Sequence, residues 1–237
     1  MTRSRVLTIQ HQEDCPPAWF GTWLGGIGTT LDVRRPYAGD ELPVDLGEHH
    51  GLLILGGSMG AQDDARVPWL AELKTLVRKA VRRTVPVLGI CLGHQLMTVA
   101  LGGEVGVNPS GPQRGLTPIS WNDDAVSDAL FGTRPTTALH WNDDVATRLP
   151  DGAVVLARAG SGEIEAVRFA KRAWGIQSHP EIDAAVLAAW IAAEPGADDP
   201  ATAAELVEVC ARARAAEATL QAEWAPVATT FGHLCSG

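Results

Sequence analysis

Near the middle of the chain stands the segment Val85-Pro86-Val87-Leu88-Gly89-Ile90-Cys91-Leu92-Gly93-His94-Gln95. Its first half is apolar and β-branched, which is typical of a buried strand, and its second half enters a helical pattern that Gly102-Gly103 ends. Cys91 falls at the junction, with Gly89 two positions before it and Gly93 two positions after it. A strand that turns directly into a helix strains the corner residue, and the glycines keep side chains away from that corner. The segment therefore predicts a nucleophile elbow with Cys91 at its corner.

Cys91 has the sequence surroundings of a reactive thiol. At the corner the thiol is expected to be exposed and to stand at a helix N-terminus, where the helix dipole stabilises the nucleophilic thiolate. A buried structural cysteine between two packing glycines fits the same pattern, so the elbow alone does not decide between the two. A nucleophilic cysteine also needs a base that takes its proton and a third group that orients the base.

The composition excludes several classes of protein. The 237 residues, 46% of them hydrophobic, suffice for one large core. A net charge of −9 argues against nucleic-acid binding, and the densest group of Lys and Arg fits the solvated end of a helix. We find no signal peptide and no apolar run long enough to span a bilayer. The four cysteines are scattered and lack metal-binding spacing, so we expect a reduced, cytoplasmic protein without a metal site. We also expect no cofactor and no membrane partner.

Strands and helices alternate from the N-terminus to the elbow. The apolar strand patterns cover residues 5–9, 30–33 and 51–55. Helical patterns begin after Pro17 and at Pro68, and the polar residues 40–48 are expected to form a helical or loop crossover. From Glu104 to Gln177, short strands separated by turns indicate antiparallel pairing. We therefore expect a flavodoxin-like α/β fold with a mixed, mostly parallel central sheet, helices on both faces and a short antiparallel extension.

His179 is the histidine best placed to act as the base for Cys91. It follows the apolar strand pattern of residues 174–177, and Glu181 stands two residues later. A carboxylate at this spacing can reach the far ring nitrogen and hold the imidazole in one tautomer. The alternative for this motif is the N-terminal cap of a helix. His94 is expected to have a packing role, and polar or terminal surroundings predict surface positions for His11, His49, His50 and His233.

Three motifs together resemble class I (triad-type) glutamine amidotransferases. Residues 89–95 resemble the nucleophile motif of that family, residues 179–181 resemble its base-and-carboxylate motif, and Gly56-Gly57-Ser58 stands where the family has its oxyanion loop. The resemblance assigns residues 1–194 to an amidotransferase domain and leaves residues 195–237 as a linker and a helical extension docked on it. The chain is most similar to free-standing relatives of the glutaminase domain of GMP synthase, through Pro68-Trp69-Leu70 and residues 173–177.

The resemblance implies hydrolysis of the glutamine side-chain amide through a thioester. Cys91 would attack the carboxamide carbon, and His179, oriented by Glu181, would pass the thiol proton to the leaving ammonia and then activate water. Backbone N–H groups of Gly57 and Leu92 would hold the negative oxygen. The substrate-binding positions that the family implies are Gly56, Gln95, Gly115 and Asp144. For Gln95 and Asp144 the alternatives are an ordinary polar helix residue and a solvated loop acid.

The chain departs from the pattern of its relatives at two places. Ser58 follows Gly56-Gly57 where relatives often carry Pro, which alters the rigidity of the oxyanion loop. Asn142 replaces a His of the relatives of GMP synthase, whereas Asp144 retains their Asp as a contact for the α-amino group.

Three functions are compatible with these residues. The first is a glutaminase or amidotransferase subunit that passes ammonia to a separate synthetase or acceptor subunit, since the chain carries no synthetase motif of its own. The second is a free-standing γ-glutamyl hydrolase or peptidase that uses the same triad. The third is a catalytically quiet regulatory module, against which the intact set of Cys91, His179 and Glu181 argues.

Overall fold

The computed structural model describes residues 4–237 as alternating strands and helices. The strands are β1 (Arg5–Ile9), β2 (Thr30–Arg34), β3 (Gly51–Ile54), β4 (Val87–Ile90), β5 (Glu104–Val107), β6 (Gln113–Trp121), β7 (Thr137–Asn142), β8 (Asp144–Arg148), β9 (Val154–Ala159), β10 (Ile164–Ala170) and β11 (Ala173–Ile176). The helices are α1 (Ala18–Gly26), α2 (Trp69–Arg82), α3 (Leu92–Ala100), α4 (Ala184–Ala193) and α5 (Pro200–Leu234). Of the helices described, none combines the length and the apolar character needed to cross a bilayer.

Nine strands form one mixed sheet in the order β2-β1-β3-β4-β11-β10-β9-β6-β7. The neighbours from β2 to β11 run parallel, whereas the pairs from β11 to β7 are antiparallel. Strands β5 and β8 form a separate antiparallel pair. The predicted fold class is therefore confirmed. The carboxyl ends of β1, β3, β4 and β11 lie along one edge of the sheet, which is where an open α/β sheet holds its ligands.

Helices cover both faces of this sheet. Leu53 of β3 packs in one hydrophobic cluster with residues of α1 and α5, and its neighbour Leu52 packs in a second cluster with residues of α2 and α3. Adjacent strand residues point to opposite faces, so a buried strand feeds both cores at once. This explains the continuous apolar runs of the parallel strands.

The structure decides details that the sequence left open. Between β2 and β3 the chain forms a single 3-10 turn, Pro36–Ala38, and the polar residues 40–48 form the loop alternative of the expected crossover. Asp144 is the first residue of strand β8, whose backbone pairs with β5, rather than a solvated loop residue. In the predicted C-terminal extension, helix α5 continues through Pro226, because its last turns bury Val227 and Phe231 in the core. Burial of such side chains stabilises a helix beyond its local propensity.

Candidate active site

Cys91 occupies a strained corner between β4 and α3. Its backbone angles are φ 49° and ψ −106°, a region that non-glycine residues rarely adopt. A Cβ atom on Gly89 would collide with the backbone of Gly93, and one on Gly93 would collide with the backbone of Ile54. The two glycines thus let the helix pack directly against the strands, and the predicted elbow geometry is confirmed. The thiol, expected to be exposed, is only 6% exposed because it lies at the bottom of a cavity.

His179 follows β11 and faces the thiol from the neighbouring strand end. Its Nδ1 atom lies 2.9 Å from Oε1 of Glu181, and both side chains are buried. A Cβ atom on Gly56 would stand 2.7 Å from Cε1 of His179 and 3.8 Å from Cβ of Cys91, so this glycine leaves room for the imidazole beside the thiol. The structure thus brings together the predicted nucleophile, base and carboxylate, and these residues can perform acyl transfer.

The charges around His179 favour its protonated form. Burial by itself lowers the pKa of His179, but the interactions with Cys91 and Glu181 outweigh burial and hold this pKa well above its ordinary value. The imidazole is therefore held in its protonated form beside Cys91. A protonated imidazole is the form that can give a proton to a leaving group.

Gln177 also contacts the nucleophile; the segment 173–177 resembled the family, but the sequence assigned Gln177 no role in the site. Its Nε2 group donates to Sγ of Cys91 at 3.7 Å, and its Oε1 atom accepts from Nε2 of Gln95 at 3.4 Å. Gln95 in turn donates to the backbone oxygen of Asp144 at 2.9 Å. These amides form a continuous polar chain from the thiol to the turn between β7 and β8.

The predicted oxyanion residues lie beside the elbow. Leu92 is the first residue of α3, so its backbone N–H has no partner within the helix. Gly57 is tightly enclosed: a Cβ atom there would stand 2.7 Å from Sδ of Met59, 2.9 Å from Cβ of His11 and 3.0 Å from Cδ2 of Leu92. His11 is fully buried rather than at the surface, because Trp69 donates to its Nδ1 atom at 3.3 Å. Burial lowers the pKa of His11 to about 3, so this side chain stays neutral.

A cavity of about 520 Å³ opens above Cys91. Part of its wall is aromatic: the rings of Trp190 and His179 meet edge to face at 4.7 Å, and Trp141 lies 6.1 Å from Trp190. The guanidinium group of Arg114 lies 5.1 Å from the centre of the Trp141 ring and donates to Asp143 at 2.7 Å and to Glu194 at 3.0 Å. The cavity thus combines indole surfaces with charged groups.

Of the remaining predicted substrate contacts, two line the cavity and one lies outside it. Gln95 and Asp144 line the cavity. Burial, followed by the charges of Asp143 and Asp63, raises the pKa of Asp144 above its ordinary value. Gly115 lies in β6 at φ 100°, and a Cβ atom there would be nearest to Val209 of α5. The cavity lining includes the preceding residue, Arg114, but not Gly115. His94 is buried against Phe169, which confirms its packing role.

A second buried His–Glu pair lies next to His179. Nε2 of His140 stands 3.2 Å from Oε2 of Glu165. The other carboxylate oxygen of Glu165, Oε1, accepts a hydrogen bond from Oγ of Ser178. Burial by itself raises the pKa of Glu165. The interactions with His140 and Ser178 outweigh burial, so this pKa lies below its ordinary value. Glu165 is therefore ionised although it is fully buried. Within residues 4–237, no group of three or more His, Cys, Asp or Glu side chains is arranged to hold a metal ion.

Comparisons with known proteins agree with this geometry. Residues 24–189 match the family model described as Glutamine amidotransferase class-I. The chain is 32% identical over 174 residues to γ-glutamyl peptidase 5 of Arabidopsis thaliana, covering 71% of this chain and 68% of that protein. It is 30% identical over 138 residues to a subunit of the glutamine-hydrolyzing GMP synthase of Methanocaldococcus jannaschii, covering 57% of this chain and 66% of that protein. The crystal structure of a glutamine amido transferase from Methylobacillus flagellatus superposes with a TM-score of 0.84 at 30% identity, covering 98% of this chain and 96% of that one.

Proposed function

Because the chain belongs to the class I glutamine amidotransferase family, we propose that it cleaves the side-chain amide of glutamine through a thioester on Cys91. The observation that carries this proposal is the buried His179–Glu181 pair beside a cysteine at a strained strand–helix corner. A structural cysteine requires neither the strain nor the paired histidine. The same features argue against a catalytically quiet module.

The reaction runs in two halves. The Cys91 sulfur attacks the carboxamide carbon and forms a tetrahedral oxyanion. When this intermediate collapses, the C–N bond breaks, the imidazolium of His179 gives its proton to the leaving nitrogen, and ammonia departs from the thioester. His179 then takes a proton from water, the hydroxyl adds to the thioester carbon, and the C–S bond breaks. Glutamate leaves, and the thiolate and the imidazolium are restored.

The oxyanion is held by the backbone N–H groups of Gly57 and Leu92. Leu92 follows Cys91 and Gly57 packs against Leu92, and Leu92 adds the positive end of the α3 dipole. Loss of one such donor typically lowers kcat by about 100-fold to 1,000-fold. We assign the glutamine side chain to the cavity wall at Gln95, next to Gly56 beside Cys91, and its α-ammonium group to the Asp144 carboxylate at the cavity wall.

A second candidate substrate is a γ-glutamyl amide larger than glutamine. Binding pockets of about 300–1,000 Å³ hold drug-sized ligands, so the cavity of about 520 Å³ leaves space beyond glutamine. Trp190 contacts His179, which protonates the leaving nitrogen, so the aromatic wall is adjacent to the leaving group. The similarity to γ-glutamyl peptidase 5 favours this candidate. The similarity to a GMP synthase subunit favours transfer of ammonia to a separate acceptor subunit.

One assay tests the proposal and separates the substrates. Glutamate release is measured from glutamine and from γ-glutamyl dipeptides, with the native protein and with Cys91→Ala. We expect release that the substitution abolishes; release at the native rate by Cys91→Ala would contradict the thioester. Faster cleavage of dipeptides than of glutamine would identify a peptidase. A silent module would neither release glutamate nor react at Cys91 with a glutamine-mimicking electrophile.

A further inference from the structure

Gln12 holds the backbone of the predicted oxyanion loop from the neighbouring strand end. The Ser58 N–H group donates to Oε1 of Gln12 at 2.7 Å, and Nε2 of Gln12 donates to Oδ1 of Asp14 at 2.6 Å. A backbone N–H needs an acceptor and a carboxylate needs a donor, so these two partners together fix which end of the amide faces the loop. Gln12 and Ser58 both line the cavity above Cys91.

The turn that carries Gln12 is itself held in place. Gln10 is only 3% exposed, and its Nε2 group donates to the carbonyl oxygens of Gln12 at 2.9 Å and Glu13 at 3.1 Å. The Cys15 N–H group also donates to the carbonyl of Gln12, at 3.3 Å. The acceptor for Ser58 therefore comes from a supported backbone.

The loop benefits from such a constraint because two glycines in succession give its backbone a wide range of dihedral angles. Gly56 and Gly57 have no side chains to restrict their dihedral angles. In the trans peptide between Gly57 and Ser58, the carbonyl oxygen and the N–H group point in opposite directions. Holding the Ser58 N–H against Gln12 therefore fixes the direction of the Gly57 carbonyl and limits rotation of the Gly57 backbone.

We propose that Gln12 is a positioning residue for the oxyanion hole: its bond to the Ser58 N–H keeps the Gly57 N–H directed at the reacting carbonyl oxygen. This inference rests on the proposed function. Proline has no N–H group to donate and fixes its own φ angle. Gln12 thus supplies through a hydrogen bond the rigidity that a proline after the two glycines would supply covalently.

The test is a double-mutant cycle on positions 12 and 58, read as kcat and KM for glutamate release. Gln12→Ala is expected to lower kcat by about tenfold to a hundredfold, less than loss of an oxyanion donor, with KM changed less than about threefold. Ser58→Pro alone is expected to lower kcat as well, because the proline Cδ collides with Oε1 of Gln12. The double variant is expected to recover most of the native kcat, because Ser58 has a negative φ and the shortened side chain leaves room for the ring.

Three further variants keep the test decisive. Glu13→Ala removes the adjacent exposed side chain and is expected to keep the native kcat. Gln12→Glu retains an acceptor for Ser58 and is expected to keep more kcat than Gln12→Leu, which has similar size and no acceptor. Equal rates of Cys91 alkylation by iodoacetamide in all variants would show that the elbow is intact.

The outcomes distinguish this inference from the proposed function. If the native protein releases no glutamate from any γ-glutamyl amide, the proposed function fails and the inference fails with it. If the native protein is active and Gln12→Ala matches it, only the inference is overturned. Additive losses in the double variant, or an effect confined to KM, would also overturn it, because Gln12 would then contact the substrate rather than the loop.

Discussion

The carboxylate of Glu181 lies 2.9 Å from Nδ1 of His179, and both groups are buried beside Cys91. A buried carboxylate at this distance fixes the tautomer of the imidazole and directs Nε2 toward the sulfur. It also stabilises the imidazolium, which accounts for part of the raised pKa of His179. The protonated form of His179 therefore depends in part on Glu181.

Removing the negative charge of Glu181 should lower kcat and change the pH dependence of kcat/KM. Glu181→Gln is expected to lower kcat by at least about a hundredfold. A protonated His179 is present only below its folded pKa, so kcat/KM of the native protein falls as the pH rises through that pKa. The substitution lowers this pKa, so the alkaline fall should move to lower pH. An unchanged alkaline limb would contradict the role of Glu181, and Glu13→Gln, at an exposed site, serves as the control.

The Asp144 carboxylate should contribute mainly to substrate binding. Asp144→Asn is expected to raise KM for glutamine by about tenfold to a hundredfold with little change in kcat, because a charged hydrogen bond to the α-ammonium group is lost. The raised pKa of Asp144 means that its carboxylate is protonated at a higher pH than an ordinary aspartate. As the pH falls, KM of the native protein should therefore begin to rise at a higher pH than titration of an ordinary aspartate would give. Steady-state kinetics against Asp151→Asn, an exposed site, provide the comparison.

The close packing at the elbow predicts that Gly89 tolerates no side chain. Gly89→Ala is expected to destabilise the protein by about 1–3 kcal/mol, because the added methyl group meets the backbone of Gly93 and His94 rather than a flexible side chain. Gly25→Ala in α1 meets no atom within 4 Å and is expected to be neutral or stabilising by up to about 1 kcal/mol. Urea denaturation measures both, and equal stabilities of the two variants would contradict the packing described.

Breaking the buried His140–Glu165 pair should lower the free energy of unfolding. Glu165→Gln removes the buried carboxylate that stands 3.2 Å from His140 and accepts a hydrogen bond from Ser178, and it is expected to lower the free energy of unfolding by about 3–5 kcal/mol. Glu208→Gln breaks an exposed pair with Arg212 and is expected to change the free energy of unfolding by less than about 1 kcal/mol. A loss in Glu165→Gln as small as in Glu208→Gln would contradict a stabilising role of the buried pair.

The elements that could be predicted from the sequence are those with a local signal. The elbow is indicated by Gly89, Cys91 and Gly93 within five residues, and the base by His179 and Glu181 two residues apart. Continuous apolar runs indicated the parallel strands because these strands are buried on both faces. Each of these patterns follows from contacts within a few positions of one another in the chain.

What could not be predicted depends on contacts between distant segments. Gln12 meets Ser58 46 positions later, and Gln177 meets Cys91 86 positions earlier. The strand pattern that ends at Gln177 does not indicate that its side chain contacts Cys91. Strand β8 is paired with β5, whose backbone lies about 40 positions earlier in the chain. Such positions become visible only when the sheet brings its strand ends to one edge.

The most direct test of the central proposal is a search for the acyl group on Cys91. The protein is mixed with glutamine, quenched in acid during turnover and digested, and the peptide that contains Cys91 is analysed by mass spectrometry. We predict a glutamyl thioester on this peptide in the native protein and no adduct in Cys91→Ala. Steady glutamate release in the Cys91→Ala variant, or an acyl group on a different residue, would contradict the account.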